Sequence, residues 1–393
     1  MAIDFKSMED SHLVPTYQKF PVTIIRGLGA KVWDDEGREY VDCVAGYGAA
    51  IVGHCNPRVV KAIKEQCERL LACHCSCYND VRAKYLKKLV SVLPKGLTRV
   101  YLCNSGAEAI EAAIKIAWKA TGKRVIVSMM RGYHGKTLGA LTLTWDQKYR
   151  ESFEPLPSFV KFVPYGNIDK LKGALSDDVA AVVVEPVQGE SGVIIPPSDF
   201  LPQVREECTK RGVLLIVDEV QTGFGRTGKL WACEHWGIEP DIICMAKGIA
   251  GGLPMGATAT KEDIAIKLRV GEHTSTFGGN PLVCSAAIAT LEAILEDGLL
   301  ENCRSTGSYM LSRLKDLEGK FKVVREARGI GFMQALELRV DIREPLLSLI
   351  SEGVLATYSG RTVIRFLPPL CLTREDVDVV INALERVLGN VKL

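Results

Sequence analysis

The chain has no apolar run that reaches the roughly 18 residues of a bilayer-spanning helix, and along its 393 residues it has no block of like charge. The first absence argues against a membrane-spanning segment. The second argues against nucleic acid or an anionic membrane surface as a partner, because 49 Lys and Arg against 47 Asp and Glu leave a formal charge of +2 spread over the whole length. No leader is expected either: the opening MAIDFKSMEDSH is too acidic and polar for a signal or transit peptide, so a cytoplasmic protein is expected. Metal-ligand spacing is absent as well. Thirteen cysteines are many, yet Cys43, Cys103, Cys244 and Cys284 sit inside apolar runs, where a reduced thiol behaves as a small hydrophobe. Disulfides are not expected in that compartment. The cluster Cys73-His74-Cys75-Ser76-Cys77 alternates its cysteines, which suits a strand face better than the two-residue gaps of zinc ligands. No second ligand pair follows, and no metal site is expected.

What is present is organised around Val213 to Gly256. Two apolar runs end there in residues too polar to belong to them: Val213 to Val217 stops at Asp218, and Ile242 to Met245 stops just short of Lys247. In a parallel sheet both faces of a strand are covered, so its runs are continuously apolar, and ligand-handling groups sit past the carboxyl ends. An acid and an amine then face one crevice. Pyridoxal 5'-phosphate (PLP) uses that pair directly, since it forms a Schiff base with a lysine while a carboxylate keeps its pyridine nitrogen protonated. A turn-capping Asp218 and a solvated Lys247 are the plainer alternative.

The flanking segments read as an α/β chain. With an apolar fraction of 47% over 393 residues, two domains of ordinary composition are expected. Tyr17 to Asp42 reads as short antiparallel strands, with a hairpin at Asp34 to Gly37. A helix follows Asn56-Pro57. A strand at Arg99 to Cys103 runs into a helix opened by Ser105 and Glu108, which have capping-box spacing. A helix N-terminus after a strand is also a phosphate cradle. Tyr133 and His134 lie on a glycine-flanked loop where an aromatic ring can stack on a flat cofactor. Gly135-Lys136-Thr137 lacks the earlier glycine of a nucleotide P-loop, because Met130 stands in its place. Gly223 to Gly228 matches Gly-x-Gly-x-x-Gly but is not placed as a dinucleotide site requires. Val179 to Val184 forms the most apolar strand and ends at Glu185 and Glu190. Beyond Leu299, helices at Tyr309 to Leu317 and Asp376 to Leu388 alternate with strands near Val323, Met333 to Leu338, Val354 and Val363 to Phe366. Arg365 lies inside the last of these, either snorkelling to the surface or holding a carboxylate.

Six ordered motifs carry a resemblance that runs over nearly the whole chain. They are Asn104-Ser105-Gly106-Ala107-Glu108-Ala109, Tyr133 to Thr137, Glu185 to Glu190, Asp218 to Gly223, Ala246-Lys247-Gly248 and Ser275 to Pro281. Together they resemble the class III PLP-dependent aminotransferases of the ornithine and acetylornithine type. That implies a fold type I α/β architecture, with a mostly parallel central sheet covered by helices on both faces and a smaller α+β domain. The corresponding division is residues 1–50, 51–295 and 296–393. The resemblance implies that Lys247 carries PLP and shuttles a proton and that Asp218 pairs with the pyridine nitrogen. Ser105, Gly106 and Ala107 would bind the phosphate, with Thr276 of a neighbouring subunit completing the site in a homodimer. Tyr133, His134, Glu185, Val220 and Gln221 would surround the ring. Glu190 would mask Arg365 while an ω-amino donor binds and release it for 2-oxoglutarate, Tyr17 and Tyr47 would line the substrate entrance, and Lys136 stands where the donor's α-carboxylate is gripped. Lys136 departs from the usual arginine, keeping the charge but losing the bidentate fork. Lysine at this place is seen in putrescine-handling relatives. The stretches Thr142 to Arg150 and Ile364 to Pro369 look closer to enzymes of lysine and arginine biosynthesis whose donor rides on a carrier protein. The implied reaction moves a terminal amino group from an acetylornithine-, ornithine- or carrier-linked lysine-type donor to 2-oxoglutarate. The rivals are a putrescine or 4-aminobutyrate aminotransferase and a racemase or aminomutase of the same fold.

Overall fold

The computed structural model describes residues 3–392; residues 1, 2 and 393, at the outer edges of the expected first and last segments, lie outside them. Three short strands open the sheet structure: β1 (Ile24–Leu28), β2 (Lys31–Asp34) and β3 (Glu39–Asp42), antiparallel to one another. Asp34 fixes the expected hairpin, since its carboxylate accepts the N–H groups of Glu36 and Arg38 at 3.1 and 2.8 Å and the Tyr40 hydroxyl at 2.7 Å.

The central sheet follows. Its strands are β4 (Leu97–Cys103), β5 (Val125–Met129), β6 (Val160–Val163), β7 (Val179–Val184), β8 (Leu214–Asp218), β9 (Ile242–Met245) and β10 (Gly256–Lys261), in the order β4-β10-β9-β8-β7-β5-β6. The run from β6 to β9 across the sheet is parallel. Alternate residues of these strands enter two separate cores. Ala181, Val183, Ile216 and Ile242 pack with the helix Gly106–Thr121, whereas Val182, Val184, Val217 and Ile243 pack with Phe200–Arg211 and Pro281–Glu296. Burial on both faces is the reason the runs are continuously apolar. β10 is the exception, antiparallel to both neighbours. Its sequence, GATATK, gives no strand signal. Two of its threonines nevertheless sit in the core, because Thr258 Oγ1 donates to the Ala109 carbonyl at 2.7 Å and Thr260 Oγ1 to that of Asp241 at 2.9 Å.

The C-terminal strands are β11 (Val324–Ile330), β12 (Met333–Leu338), β13 (Val354–Leu355), β14 (Thr357–Ser359) and β15 (Val363–Phe366). β11-β12-β15-β14 make a second antiparallel sheet, while β13 pairs in parallel with β3, Val354 against Val41. The two ends of the chain therefore share a sheet.

Several expectations need correction. The cysteine cluster is not a strand: Cys73 to Cys77 is a loop, with Cys75 and Cys77 exposed. The Arg82 guanidinium takes the carbonyls of Cys73 at 2.9 Å and Gly279 at 3.2 Å, so these groups are satisfied without a ladder. The helix expected at Tyr309 to Leu317 spans Leu299–Lys320, because its buried face continues through Cys303, Thr306 and Gly307, residues that do not read as an apolar stripe. Ser105 caps its helix by accepting the Glu108 N–H at 3.2 Å, but the Glu108 carboxylate returns to the N–H of Asn104, at 2.7 Å, rather than to that of Ser105.

Candidate active site

β8 and β9 lie side by side with Asp218 opposite Cys244, so Asp218 is the last residue of its strand and Lys247 stands two residues past the end of the next. A cavity of about 380 Å³ opens at these carboxyl ends, and both residues line it. Lys247 has a left-handed backbone, φ 41°. That conformation costs a residue with a Cβ on the order of 1–3 kcal/mol and survives only where surrounding structure enforces it. Burial, helped by the Arg365 charge, lowers the Lys247 pKa from its ordinary 10.5 against the opposing pull of Glu190, Asp218 and Glu185. An amine so placed sheds its proton more readily, as a nucleophile or base must.

Asp218 is held rather than merely present. Its Oδ1 accepts the Val220 N–H at 3.0 Å and its Oδ2 lies 2.7 Å from His134 Nδ1. The His134 side chain is fully buried against this carboxylate and belongs to the cavity wall. Burial alone would push its pKa down, but the hydrogen bond and charge of Asp218, with Glu185, carry it above the ordinary 6.5. Glu185 does a different job. Its Oε1 accepts the Tyr133 N–H at 2.9 Å and its Oε2 the Gly189 N–H at 3.4 Å, which ties the two cavity loops together. Burial beside Asp218 pushes its carboxyl up to about 7, although His134 and these donors oppose the rise.

Opposite the acid lies the start of the helix Gly106–Thr121. Ser105, Gly106 and Ala107 line the cavity there, and first-turn N–H groups together with the helix dipole attract an anion. Only glycine fits at 106: a Cβ would fall 2.7 Å from Val220 Cγ1. Val220 and Gln221 continue the wall, and Gln221 Oε1 is buried without a partner.

Glu190 closes the far side. It lines the cavity, and its Oε1 takes Arg365 Nη1 at 2.8 Å and Gln221 Nε2 at 3.5 Å. Its pKa is lowered: burial opposes the shift, but the charges of Arg365 and Lys247 overcome it. Arg365, in the middle of β15, is wholly buried and points inward instead of snorkelling. Its Nε and Nη2 have no hydrogen-bond partner. Buried donors left unpaired cost about 1–3 kcal/mol each, a cost that an incoming carboxylate would recover.

Of the residues singled out in the sequence, Ser105, Gly106, Ala107, Tyr133, His134, Lys136, Glu185, Glu190, Asp218, Val220, Gln221 and Lys247 meet on this one cavity. Arg365 is one residue behind the wall, reached through Glu190. Tyr17 and Tyr47 are exposed and off the wall, as is Thr276 on its loop. Lys136 is exposed, with its Nζ 5.1 Å over the ring of Tyr149, which in turn meets Tyr133 edge-on at 5.4 Å. Sequence reasoning missed Tyr149, along with Ala49 and the segment Gly252 to Met255 on the cavity wall. The turn residues Gly251 and Gly252 after Lys247 were the available signal for the latter. An anion cradle, a buried carboxylate and an amine of lowered pKa around one cavity fit the phosphate, ring nitrogen and carbonyl carbon of PLP.

Comparison with known proteins gives a consistent picture. The model of the family "Aminotransferase class-III" matches residues 13–388. The chain is 47% identical over 379 residues to the LysW-aminoadipate semialdehyde transaminase of Deinococcus radiodurans, covering 95% of this chain and 88% of that protein. It is 44% identical over 388 residues to the acetylornithine aminotransferase of Methanopyrus kandleri, covering 98% and 99%. Among solved structures, the ornithine aminotransferase of Toxoplasma gondii ME49 superposes with a TM-score of 0.95 at 34% identity, over 98% of this chain and 94% of that one.

Proposed function

Because the chain belongs to the class-III aminotransferases, which work with PLP, we propose that it moves the terminal amino group of an ornithine- or lysine-like donor to 2-oxoglutarate. The products are a semialdehyde and glutamate. The observation that carries this reading is the buried Arg365, paired with Glu190 by Nη1 and left with Nε and Nη2 unpartnered. With Glu190 in place the guanidinium is neutralised, so the cavity accepts the uncarboxylated end of an ω-amine. With Glu190 turned away, the planar fork grips the α-carboxylate of the oxo acid.

When bound, PLP supplies an electron sink for the bond to be broken. The remaining roles belong to the chain. Ser105, Gly106 and Ala107 would hold the phosphate, and Asp218, braced by His134, would keep a proton on the ring nitrogen. Tyr133, Val220 and Gln221, on the wall of the same cavity, would surround the ring, and Lys247 would anchor the cofactor and move the proton at the reacting carbon. Thr276 reaches the phosphate of a second copy, which makes the working unit a homodimer. Tyr17 and Tyr47 would line the substrate entrance, and Lys136 would meet the donor's α-carboxylate. The chain divides into residues 1–50, 51–295 and 296–393, with the first segment joining the last; the β3–β13 pairing supports this. No described helix is long and apolar enough to cross a membrane, and a cytoplasmic location is part of the proposal.

The likeness to a transaminase named for a LysW-linked substrate supports a donor attached to a carrier protein, with N-acetylornithine as the free analogue. A diamine donor is the second reading, favoured by the single ammonium of Lys136 where a fork would be needed for bidentate grip. The test is Arg365→Ala in separated half-reactions. The rate with 2-oxoglutarate should fall about 100-fold or more while that with the amine donor changes by less than about fivefold; equal damage to both halves would contradict the reading.

A further inference from the structure

β14 is an edge strand of its sheet, and two of its three residues, Thr357 and Ser359, bring buried hydroxyls toward the segment that carries Glu190. Ser359 Oγ donates to the Glu190 backbone carbonyl, which pins the main chain of that residue and leaves its side chain to move. Thr357 is two positions earlier, so it lies on the same face of the strand. In the ladder it stands directly opposite Arg365, as Ser359 stands opposite Val363. Side chains paired in this way project to one side, with their Cβ atoms roughly 4.5–5.5 Å apart. The cross-strand neighbour of Arg365 on its other side is Ala335, a methyl group with nothing to donate or accept.

Thr357 is wholly buried, and its Oγ1 has no hydrogen-bond partner among the described residues. The rest of this face is apolar, made by Met333, Ala335 and Val363 packed with Val187 and Val193. A valine would fill the same volume and suit the strand equally well, without leaving a hydroxyl desolvated and unpaired. Arg365 shows the matching deficit: Nη1 is spent on Glu190 at 2.8 Å, while Nε and Nη2 are buried without partners among the described residues. Two nitrogens and one hydroxyl on neighbouring strands are therefore left unsatisfied together. A carboxylate answers that set, because its two oxygens offer about four acceptor positions, enough for one edge of a guanidinium and a hydroxyl besides.

Resting on the proposed capture of the oxo acid by Arg365, we infer that Thr357 is a specificity residue of the acceptor half-reaction: once Glu190 has turned away, its hydroxyl donates to the carboxylate that the Arg365 fork holds. It adds nothing for the amine donor, which binds while Glu190 still covers the guanidinium. Thr357 thereby favours the acceptor over the donor at the point where one cavity must admit both.

The test is Thr357→Val in the holoenzyme, with the two half-reactions followed separately by cofactor absorbance. The Kd for 2-oxoglutarate should rise about tenfold, while the rate and Kd with N-acetylornithine change by less than about twofold. Thr357→Ser, which restores a hydroxyl, should recover most of the loss. Inhibition by glutarate, which carries carboxylates but no keto group to react, should weaken by a similar factor. In an Arg365→Ala background the valine substitution should have almost no further effect on the oxo acid, because both residues act on one carboxylate. Thermal unfolding should find Thr357→Val at least as stable as the wild type, since the hydroxyl it removes is unpaired. A destabilised valine variant, unchanged oxo-acid binding, equal damage to both half-reactions or additive losses in the double variant overturns this role of Thr357 alone. An Arg365→Ala enzyme whose oxo-acid half-reaction is intact removes the proposed carboxylate capture and this inference with it.

Discussion

Lys247→Ala loses turnover and loses covalent capture of the cofactor together. In the wild type, borohydride treatment should fix one pyridoxyl group to the chain at Lys247, read by peptide mass. In the variant none should be fixed, and kcat should fall by at least about 10³-fold, because one side chain supplies both the anchor and the proton-transferring base. The structural reason is the convergence at this residue of a strained left-handed backbone, burial and a lowered amine pKa. Alanine can hold the same φ at a similar strain, so the variant should fold. A Lys247→Ala enzyme with wild-type turnover would remove this residue from the chemistry.

Asp218→Asn is expected to have the next largest effect, with kcat reduced about 10²- to 10⁴-fold. Asparagine keeps the shape but not the charge that holds a proton on a ring nitrogen. His134 provides an independent readout. In the wild type its pKa is raised above 6.5 by Asp218 against burial, so its contribution to stability is complete below 6.5 and is lost as pH rises through the folded-state value. In the variant burial acts unopposed by that carboxylate and the folded pKa should drop. The sign then reverses, and this contribution grows as pH rises toward 6.5. A nitrogen-15 titration of the imidazole in both proteins measures it directly. Retention of kcat within tenfold, or an unmoved His134, would contradict the role given to Asp218.

The parts of the molecule that were legible in the sequence are those where a single physical constraint acts on neighbouring residues. β8 and β9 are buried on both faces, so their apolar runs stand out and the polar residues at their ends, Asp218 and Lys247, mark the crevice. The helix Gly106–Thr121 announces itself through Ser105 at one end and Gly122, φ 71°, at the other. Contacts between distant residues had no such local trace. His134 meets Asp218 across 84 positions and Arg365 meets Glu190 across 175; for the second pair the family resemblance supplied the expectation, and for the first nothing did. β10 was hidden because its core threonines satisfy their hydroxyls on the Ala109 and Asp241 carbonyls, which removes the apolar signature of a central strand. The loop Cys73 to Cys77 misled for the opposite reason: alternation with no face to bury is not a strand. Tyr149, between Tyr133 and Lys136, belongs to no local pattern, since its place depends on two loops meeting.

Nitrogen is expected to leave the terminal carbon of the donor and arrive on 2-oxoglutarate. The most direct measurement is the fate of a label: the enzyme is incubated with 2-oxoglutarate and N-acetylornithine carrying nitrogen-15 only at its terminal amine, and the glutamate formed is analysed by mass spectrometry. Nearly all of the new glutamate should carry the label, one nitrogen-15 for each semialdehyde released. Unlabelled glutamate, or conversion of the donor that proceeds without the oxo acid, would contradict it.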